Sequence, residues 1–269
     1  ASSTKLIPAA SLFFHSTATG TTVMKIKKFV LCAAAFASAL SIACSLSAAT
    51  LNVATSATFP PFEFQDSKTG AVQGFEIDLV KAMGEKMGRD VKIENIGFDA
   101  IIPGILAGTI DMGAAGFSIT PERGKRVLFS LPFYKSGLTI LVPKENKAGI
   151  ADFKDLEGKR ISVQIGTTSQ TFAKKIPGAK VTTFASAGEA VLNMIAGNAD
   201  AVLNDKPVTD YMLVQSKSIA EQTTHLKPIA TADLFAMVFA KNNSELKAEA
   251  DKALKALKAD GTFNKLHEK

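Results

Sequence analysis

From Leu51 to Lys269 short apolar runs alternate with longer segments whose apolar residues recur at helical spacing. Leu51–Thr55, Val91–Ile96, Ile110–Ala115, Ile161–Ile165, Val181–Phe184 and Ala199–Leu203 read as buried strands. Between them, Gly74–Met87 sets Phe75, Leu79, Val80, Met83 and Met87 at helical spacing. Further helices are predicted over Ala100–Ala107, Ser169–Lys175, Ala187–Ala196, Val208–Ser216 and Ser244–Lys258, with a short one around Thr262–Lys269. Such alternation implies an α/β fold with mostly parallel sheets flanked by helices.

The chain also echoes itself. Ile105-Leu106-Ala107-Gly108-Thr109-Ile110-Asp111 resembles Met194-Ile195-Ala196-Gly197-Asn198-Ala199-Asp200, each a helix ended by Gly, a tight turn and a strand. The strands finish in polar residues, Gly116-Phe117-Ser118 and Asn204-Asp205. Two α/β lobes built alike would hold a ligand between them, beyond the carboxyl ends of their strands. Ala-Gly in an ordinary helix–strand loop explains the echo equally well.

Ahead of this pattern, the basic segment Met24-Lys25-Ile26-Lys27-Lys28 leads into an apolar run, Phe29 to Ile42, and then into Ser47-Ala48-Ala49. Basic, apolar and small, in that order, is a secretory signal peptide; the run is shorter than the ~20 residues that span a bilayer. Residues 1–23 are read as a mis-set start or a cloning leftover, and the mature chain is expected to begin near Thr50. Lys5, Lys25, Lys27 and Lys28 leave with the leader and no acid does, so 31 basic residues become 27 against 25 acidic ones. The formal charge of +6 thereby falls to +2, and the case for nucleic-acid binding loses its main support. Cys32 and Cys44 leave too, so the mature chain must rely on an apolar core rather than on disulfides. Cys44 follows small residues and could carry a lipid, but Ser41-Ile42-Ala43 lacks the usual Leu, so plain cleavage is expected. Either way the chain is placed in the periplasm or at the cell surface.

Enzymatic signatures are few. The mature sequence has two isolated histidines, His225 and His267, and no Gly-x-Gly-x-x-Gly, Walker lysine loop or Gly-x-Ser-x-Gly elbow. No cofactor or metal is implied. A different set of residues suits a zwitterion. Arg123 lies in the first turn of a short helix that Thr120 can cap and Pro121 begin, against the macrodipole preference for acids there. Its guanidinium can hold a carboxylate bidentately, or else pair with Asp111 or Glu122. Gly166-Thr167-Thr168-Ser169, between a strand and a helix, offers free N–H groups to a carboxylate, or is an ordinary N-cap. Asp205 can receive an ammonium or cap the next helix, and Phe59 and Phe98 can wall a pocket or fill the core.

These residues sit in a longer pattern. Ala54-Thr55-Ser56-Ala57-Thr58-Phe59-Pro60-Pro61-Phe62-Glu63-Phe64 and Gly74-Phe75-Glu76-Ile77-Asp78-Leu79 resemble the start of the polar amino-acid-binding proteins of ABC importers. The likeness continues through Gly116–Arg123, Phe129-Ser130, Pro132-Phe133-Tyr134, Asp155–Lys159, Gly166–Ser169, Ala199–Asp205 and Asp260–Phe263. It spans the mature chain in order and is strongest to glutamine-binding proteins. The resemblance implies a type II periplasmic-binding-protein fold: one lobe at 50–134 plus 236–269, another at 138–230, and hinge crossings at 135–137 and 231–235. It also implies a monomer that carries a small amino acid to a membrane permease. Arg123 would bind the ligand α-carboxylate, helped by the N–H groups of Ser118 and Thr168. Asp205, the Gly116 carbonyl and the Ser118 hydroxyl would take the α-ammonium. Phe59 and Phe98 would sandwich the side chain, with Ser56, Gln164 and Asn204 at its tip.

The sequence departs from the resemblance at that tip. Glutamine binders and basic-amino-acid binders commonly have an acid in place of Ser56, and glutamine binders have Lys and His in place of Gln164 and Asn204. With all three neutral, a buried cationic side chain would lack a counter-ion, so a neutral polar ligand, glutamine first, is expected. Cyclohexadienyl dehydratases and receptor sensor domains share the fold. The first would need a carboxyl group beside its substrate, for which only Asp205 is at hand, and the second a following membrane helix and signalling module.

Overall fold

A computed structural model describes residues 50–269; the leader and both cysteines lie outside the described residues. The chain opens with β1 (Leu51–Thr55), then β2 (Thr58–Phe59), β3 (Glu63–Gln65) and β4 (Val72–Gln73), which form a small antiparallel sheet. Helix α1 (Phe75–Met87), β5 (Val91–Asn95), α2 (Phe98–Leu106), β6 (Met112–Gly113), α3 (Pro121–Gly124) and β7 (Val127–Phe129) follow. The chain then crosses through β8 (Tyr134–Ser136) into β9 (Leu138–Pro143), a 3-10 turn at Phe153–Leu156, β10 (Arg160–Gln164), α4 (Thr168–Ala173), β11 (Lys180–Phe184) and α5 (Ala187–Ile195). It continues with β12 (Ala201–Asp205), α6 (Lys206–Gln215), α7 (Lys217–Gln222) and β13 (Thr223–His225). It returns through β14 (Asp233–Phe235) to β15 (Val238–Ala240), α8 (Ser244–Ala259) and α9 (Thr262–Glu268).

Each lobe is built on a five-stranded sheet, ordered β5-β1-β6-β15-β7 in the first and β11-β10-β12-β9-β13 in the second. The two-lobed α/β architecture is as the sequence implies, and in each mostly parallel sheet a single strand, β15 in the first and β9 in the second, runs against the other four. β1 runs parallel to β5 and β6, and β10 to β11 and β12, as helical crossovers require. β15 instead pairs antiparallel with β6 and β7, and β9 antiparallel with β12 and β13. In both sheets the antiparallel strand is the one that enters directly from the other lobe, a long-range partner that local apolar periodicity does not reveal. The crossings β8 and β14 are themselves an antiparallel pair, with Ser136 opposite Asp233 and Tyr134 opposite Phe235.

Local signals set the helix ends. Glu76 and Asp78 occupy the first turn of α1, where the macrodipole favours acids, and Gly88 closes it in the left-handed region. Ser186 and Glu189 form a capping box on α5. Gly108 and Gly197, the glycines of the internal echo, both have left-handed φ, 75° and 83°.

Sheet one is buried on both faces. Leu51 and Val53 pack with Leu79, Met83, Phe239 and Leu254, whereas Ala54 packs with Ile101, Ile105, Phe117 and Val238. Phe239 and Val238, adjacent on β15, therefore belong to opposite faces, so the strand that returns from lobe two completes both halves of the core of lobe one. Phe239→Ala should cost about 3–5 kcal/mol of stability, read as a lowered midpoint in chemical denaturation.

Candidate ligand-binding site

A cavity with an empty volume of about 310 Å³ lies between the lobes. Ser56, Phe59, Glu63, Phe98, Ala115, Gly116, Ser118 and Arg123 line it from lobe one, and Gln164, Thr167, Thr168 and Asp205 from lobe two. Its residues stand at or just beyond the carboxyl ends of β1, β10 and β12, where open α/β sheets place ligands.

Arg123 is held from three directions. Its helix α3 is capped by the Thr120 hydroxyl, which accepts from the Arg123 N–H at 3.2 Å. Nη1 donates to the Ser118 carbonyl at 2.9 Å and Nη2 to the Gly166 carbonyl of the other lobe at 3.1 Å. Its guanidinium carbon lies 5.4 Å from the Phe98 ring centre and 5.3 Å from that of Phe117, and those rings stack at 4.6 Å. Neither alternative carboxylate engages it: Asp111 accepts from Asn52, and Glu122 pairs with Lys125. Burial lowers the Arg123 pKa to about 10, while Asp205 and Asp233 favour its charge.

Asp205 ends β12 and occupies the N-cap position of α6, yet its side chain makes no capping hydrogen bond. Instead Oδ1 accepts from the Ser136 hydroxyl of crossing strand β8 at 2.7 Å. Burial, opposed by the Ser136 hydrogen bond, lifts its pKa to about 7; the negative Asp233 adds to the rise and Arg123 counters it.

Gly116 adopts φ 58°, and a Cβ there would sit 2.8 Å from Cε1 of Phe59. Only glycine allows that turn with the phenyl ring so near. Gln164 is tied by Nε2 to the Ala185 carbonyl at 3.0 Å. Thr167, not Ser169, caps α4, its hydroxyl accepting from the Gln170 N–H at 3.2 Å. Asn204 is not among the lining residues; its Nδ2 donates to the Thr209 hydroxyl at 3.3 Å.

One lining residue had no role in the sequence reading. Glu63, on β3, is 0% exposed, and neither of its oxygens has a hydrogen-bond partner. Burial raises its pKa well above the usual carboxylate range, and neighbouring Glu76 and Asp205 raise it further. Glu76, also 0% exposed, accepts from the Gly116 N–H at 2.8 Å while burial lifts its pKa to about 7. The sequence did carry a signal for Glu76, which precedes buried Leu79, Val80 and Met83 by three, four and seven residues and so sits on the apolar stripe of α1. Glu63 gave a weaker one, an acid between Phe62 and Phe64 in a three-residue strand.

The sequence model of the bacterial extracellular solute-binding proteins, family 3, matches residues 51–269, the whole of both lobes. The chain belongs to that family. ABC transporter arginine-binding protein 1 of Escherichia coli is 32% identical to this solute-binding protein over 220 residues, 80% of this chain and 88% of the relative. A solved ancestral arginine-binding protein bound to arginine superposes with a TM-score of 0.77 at 38% identity, covering 81% of this chain and 96% of the other. An ancestral arginine-binding protein bound to glutamine gives 0.77 at 39% identity with the same coverage.

In the unliganded solute-binding protein, Asp205 and the Glu63–Glu76 pair keep protons that the unfolded chain loses above the ordinary carboxylate range. The folded state then binds more protons than the unfolded one, so stability falls as pH rises from about 5 to about 7. Thermal unfolding without ligand should show the higher midpoint at the acid end of that window. A midpoint that rises with pH would contradict the assignment.

Proposed function

We propose that this chain is the extracytoplasmic amino-acid-binding component of an ABC importer, and that its ligand carries a cationic side chain, with arginine the first candidate. Membership of the family supports the coarser statement: a solute-binding protein that captures an amino acid between two lobes and hands it to a membrane permease. The finer one is carried by a single observation, the Glu63 carboxyl facing the cavity with no partner of its own. In this reading the α-carboxylate lies on Arg123 with the N–H groups of Ser118 and Thr168. The α-ammonium is received by Asp205, the Gly116 carbonyl and the Ser118 hydroxyl. Phe59 and Phe98 flank the side chain, whose end reaches Ser56, Gln164 and Glu63; Asn204, turned onto Thr209, has no part.

The neutrality of Ser56, Gln164 and Asn204 favoured an uncharged ligand as long as those three were taken for the whole tip. Glu63 supplies the counter-ion they lack, and a desolvated cation beside it is paired rather than orphaned. The names of the arginine-binding relatives point the same way. Glutamine is the second reading, favoured by the ancestral relative bound to it and by Glu63 itself, which when protonated can accept from an amide NH2 group. A dehydratase would also find in Glu63 the carboxyl group it needs; the carrier reading is preferred because the family is one of binding proteins. Strands β8 and β14, paired where the chain passes between lobes, are the proposed hinge.

Calorimetric titration separates the two ligands. Arginine should bind more tightly than glutamine, and Glu63→Gln should weaken arginine at least tenfold, about 1.4 kcal/mol, while changing glutamine far less. An unchanged arginine affinity in that variant would refute the cationic reading. Arg123→Ala should abolish the ligand-induced rise in melting temperature for every amino acid, and full retention of the rise would remove the carboxylate role.

A further inference from the structure

Glu63 does not stand alone in the wall of the cavity. Glu76 reaches it from α1, and both carboxyls are 0% exposed. Of their four oxygens only Glu76 Oε2 has a partner, the Gly116 N–H at 2.8 Å. Among the described residues neither carboxyl makes an ion pair. The charged groups that act on the site are Asp205, which adds negative charge, and Arg123, which is committed to the Ser118 and Gly166 carbonyls. Two carboxylates side by side in such surroundings cannot both ionise without large cost. One proton on Glu63 resolves the pattern, because Glu63 then donates to the otherwise empty Glu76 Oε1. The Gly116 N–H holds the negative charge on Glu76, leaving the proton on the residue that faces the cavity.

We propose that Glu63 and Glu76 hold one proton between them in the unliganded cavity, which makes Glu76 a positioning residue that sets ligand specificity without touching the ligand. When a cationic side chain enters, the Glu63 O–H bond breaks, the proton leaves for solvent and the carboxylate pairs with the incoming cation. The summed charge of the filled site is the same as that of the empty site plus a neutral amide. A neutral amide enters without proton loss and donates from its NH2 group to the Glu63 carbonyl oxygen. Arginine and glutamine are thus both accommodated by one wall, in proportions that pH adjusts: arginine gains on glutamine by up to tenfold per pH unit while the pair retains its proton. The inference rests on the reading that Glu63 faces the ligand side chain.

Asp205 can also lose a proton when it receives the α-ammonium, but does so for any amino acid, so the difference between two ligands isolates the Glu63–Glu76 pair. Titrations of arginine and of glutamine near neutral pH, each in two buffers of different ionisation enthalpy, count the protons released. Native protein should release close to one proton more with arginine than with glutamine. In Glu76→Gln the negative neighbour is gone and the amide can donate to ionised Glu63, so this difference should fall clearly below that of the native protein, whatever the change in affinity. A merely structural role for Glu76 would leave the difference intact, and that result overturns the proposal. Should Glu76→Gln not fold, infrared difference spectra of the native protein decide the matter. A carboxylic-acid C=O band should disappear with arginine and persist with glutamine, and an equal response to both overturns the proposal. Arginine binding with no extra proton release removes this inference alone, whereas failure of arginine to bind removes the cationic reading and this inference with it.

Discussion

Four ionisable groups, Arg123, Asp205, Glu63 and Glu76, gather at one small cavity, and none of them is neutralised by direct pairing with another. Arg123 spends its guanidinium hydrogen bonds on two carbonyls, Asp205 has a serine hydroxyl, and Glu63 has nothing. Buried charge without a partner is expensive. The protein meets that cost partly by protonation, since burial raises the pKa of Asp205 to about 7 and that of Glu63 well above the usual carboxylate range. It leaves the rest for a ligand to offset. In the proposed reading an amino acid brings a carboxylate for Arg123 and an ammonium for Asp205, so that capture and charge compensation are one event.

The rest of the fold serves to bring those groups together from two bodies. Arg123 belongs to lobe one and Asp205 to lobe two, and they meet because the chain crosses twice through β8 and β14. The crossing, the proposed hinge, also touches the site, since the Ser136 hydroxyl on β8 donates to Asp205. Contact between the lobes is close elsewhere too. A Cβ on Gly166, at φ 77°, would lie 3.0 Å from Cβ of Asp99, and Phe64 of lobe one meets Tyr211 of lobe two at 6.0 Å. The Arg123–Gly166 bond therefore joins the carboxylate-binding group directly to the opposite lobe, so the residue proposed to hold the ligand also senses whether the lobes are together.

Specificity follows from the same electrostatics. Ser56 and Gln164 are neutral, and by themselves they would suit an amide. Glu63 changes the balance, and its own burial and the neighbouring Glu76 favour its protonated form, which the proposed cationic ligand would displace. A wall of this kind is conditional rather than fixed, and the similar ancestral proteins were solved with arginine and with glutamine.

By itself, the sequence determined whatever depends on local pattern. Helical spacing located α1 and α8, the Gly108 and Gly197 turns appeared as an internal echo, and Thr120-Pro121 placed Arg123 in a capped first turn. Ordered motifs along the mature chain carried the two-lobed fold. Only tertiary structure decided what depends on residues far apart in the chain. The antiparallel strand of each sheet arrives from the opposite lobe, a pairing that no window of sequence contains. The resemblance implies Asn204 at the ligand's tip, but adjacent residues on a strand face opposite ways, and its amide bonds to Thr209. Glu63 and Glu76 were visible as letters in a motif, yet whether a carboxylate is solvated or buried is set by what packs over it. For these two, α1, the Gly116 turn and the two lobes supply that packing, and with it the burial on which the proposed ligand preference rests.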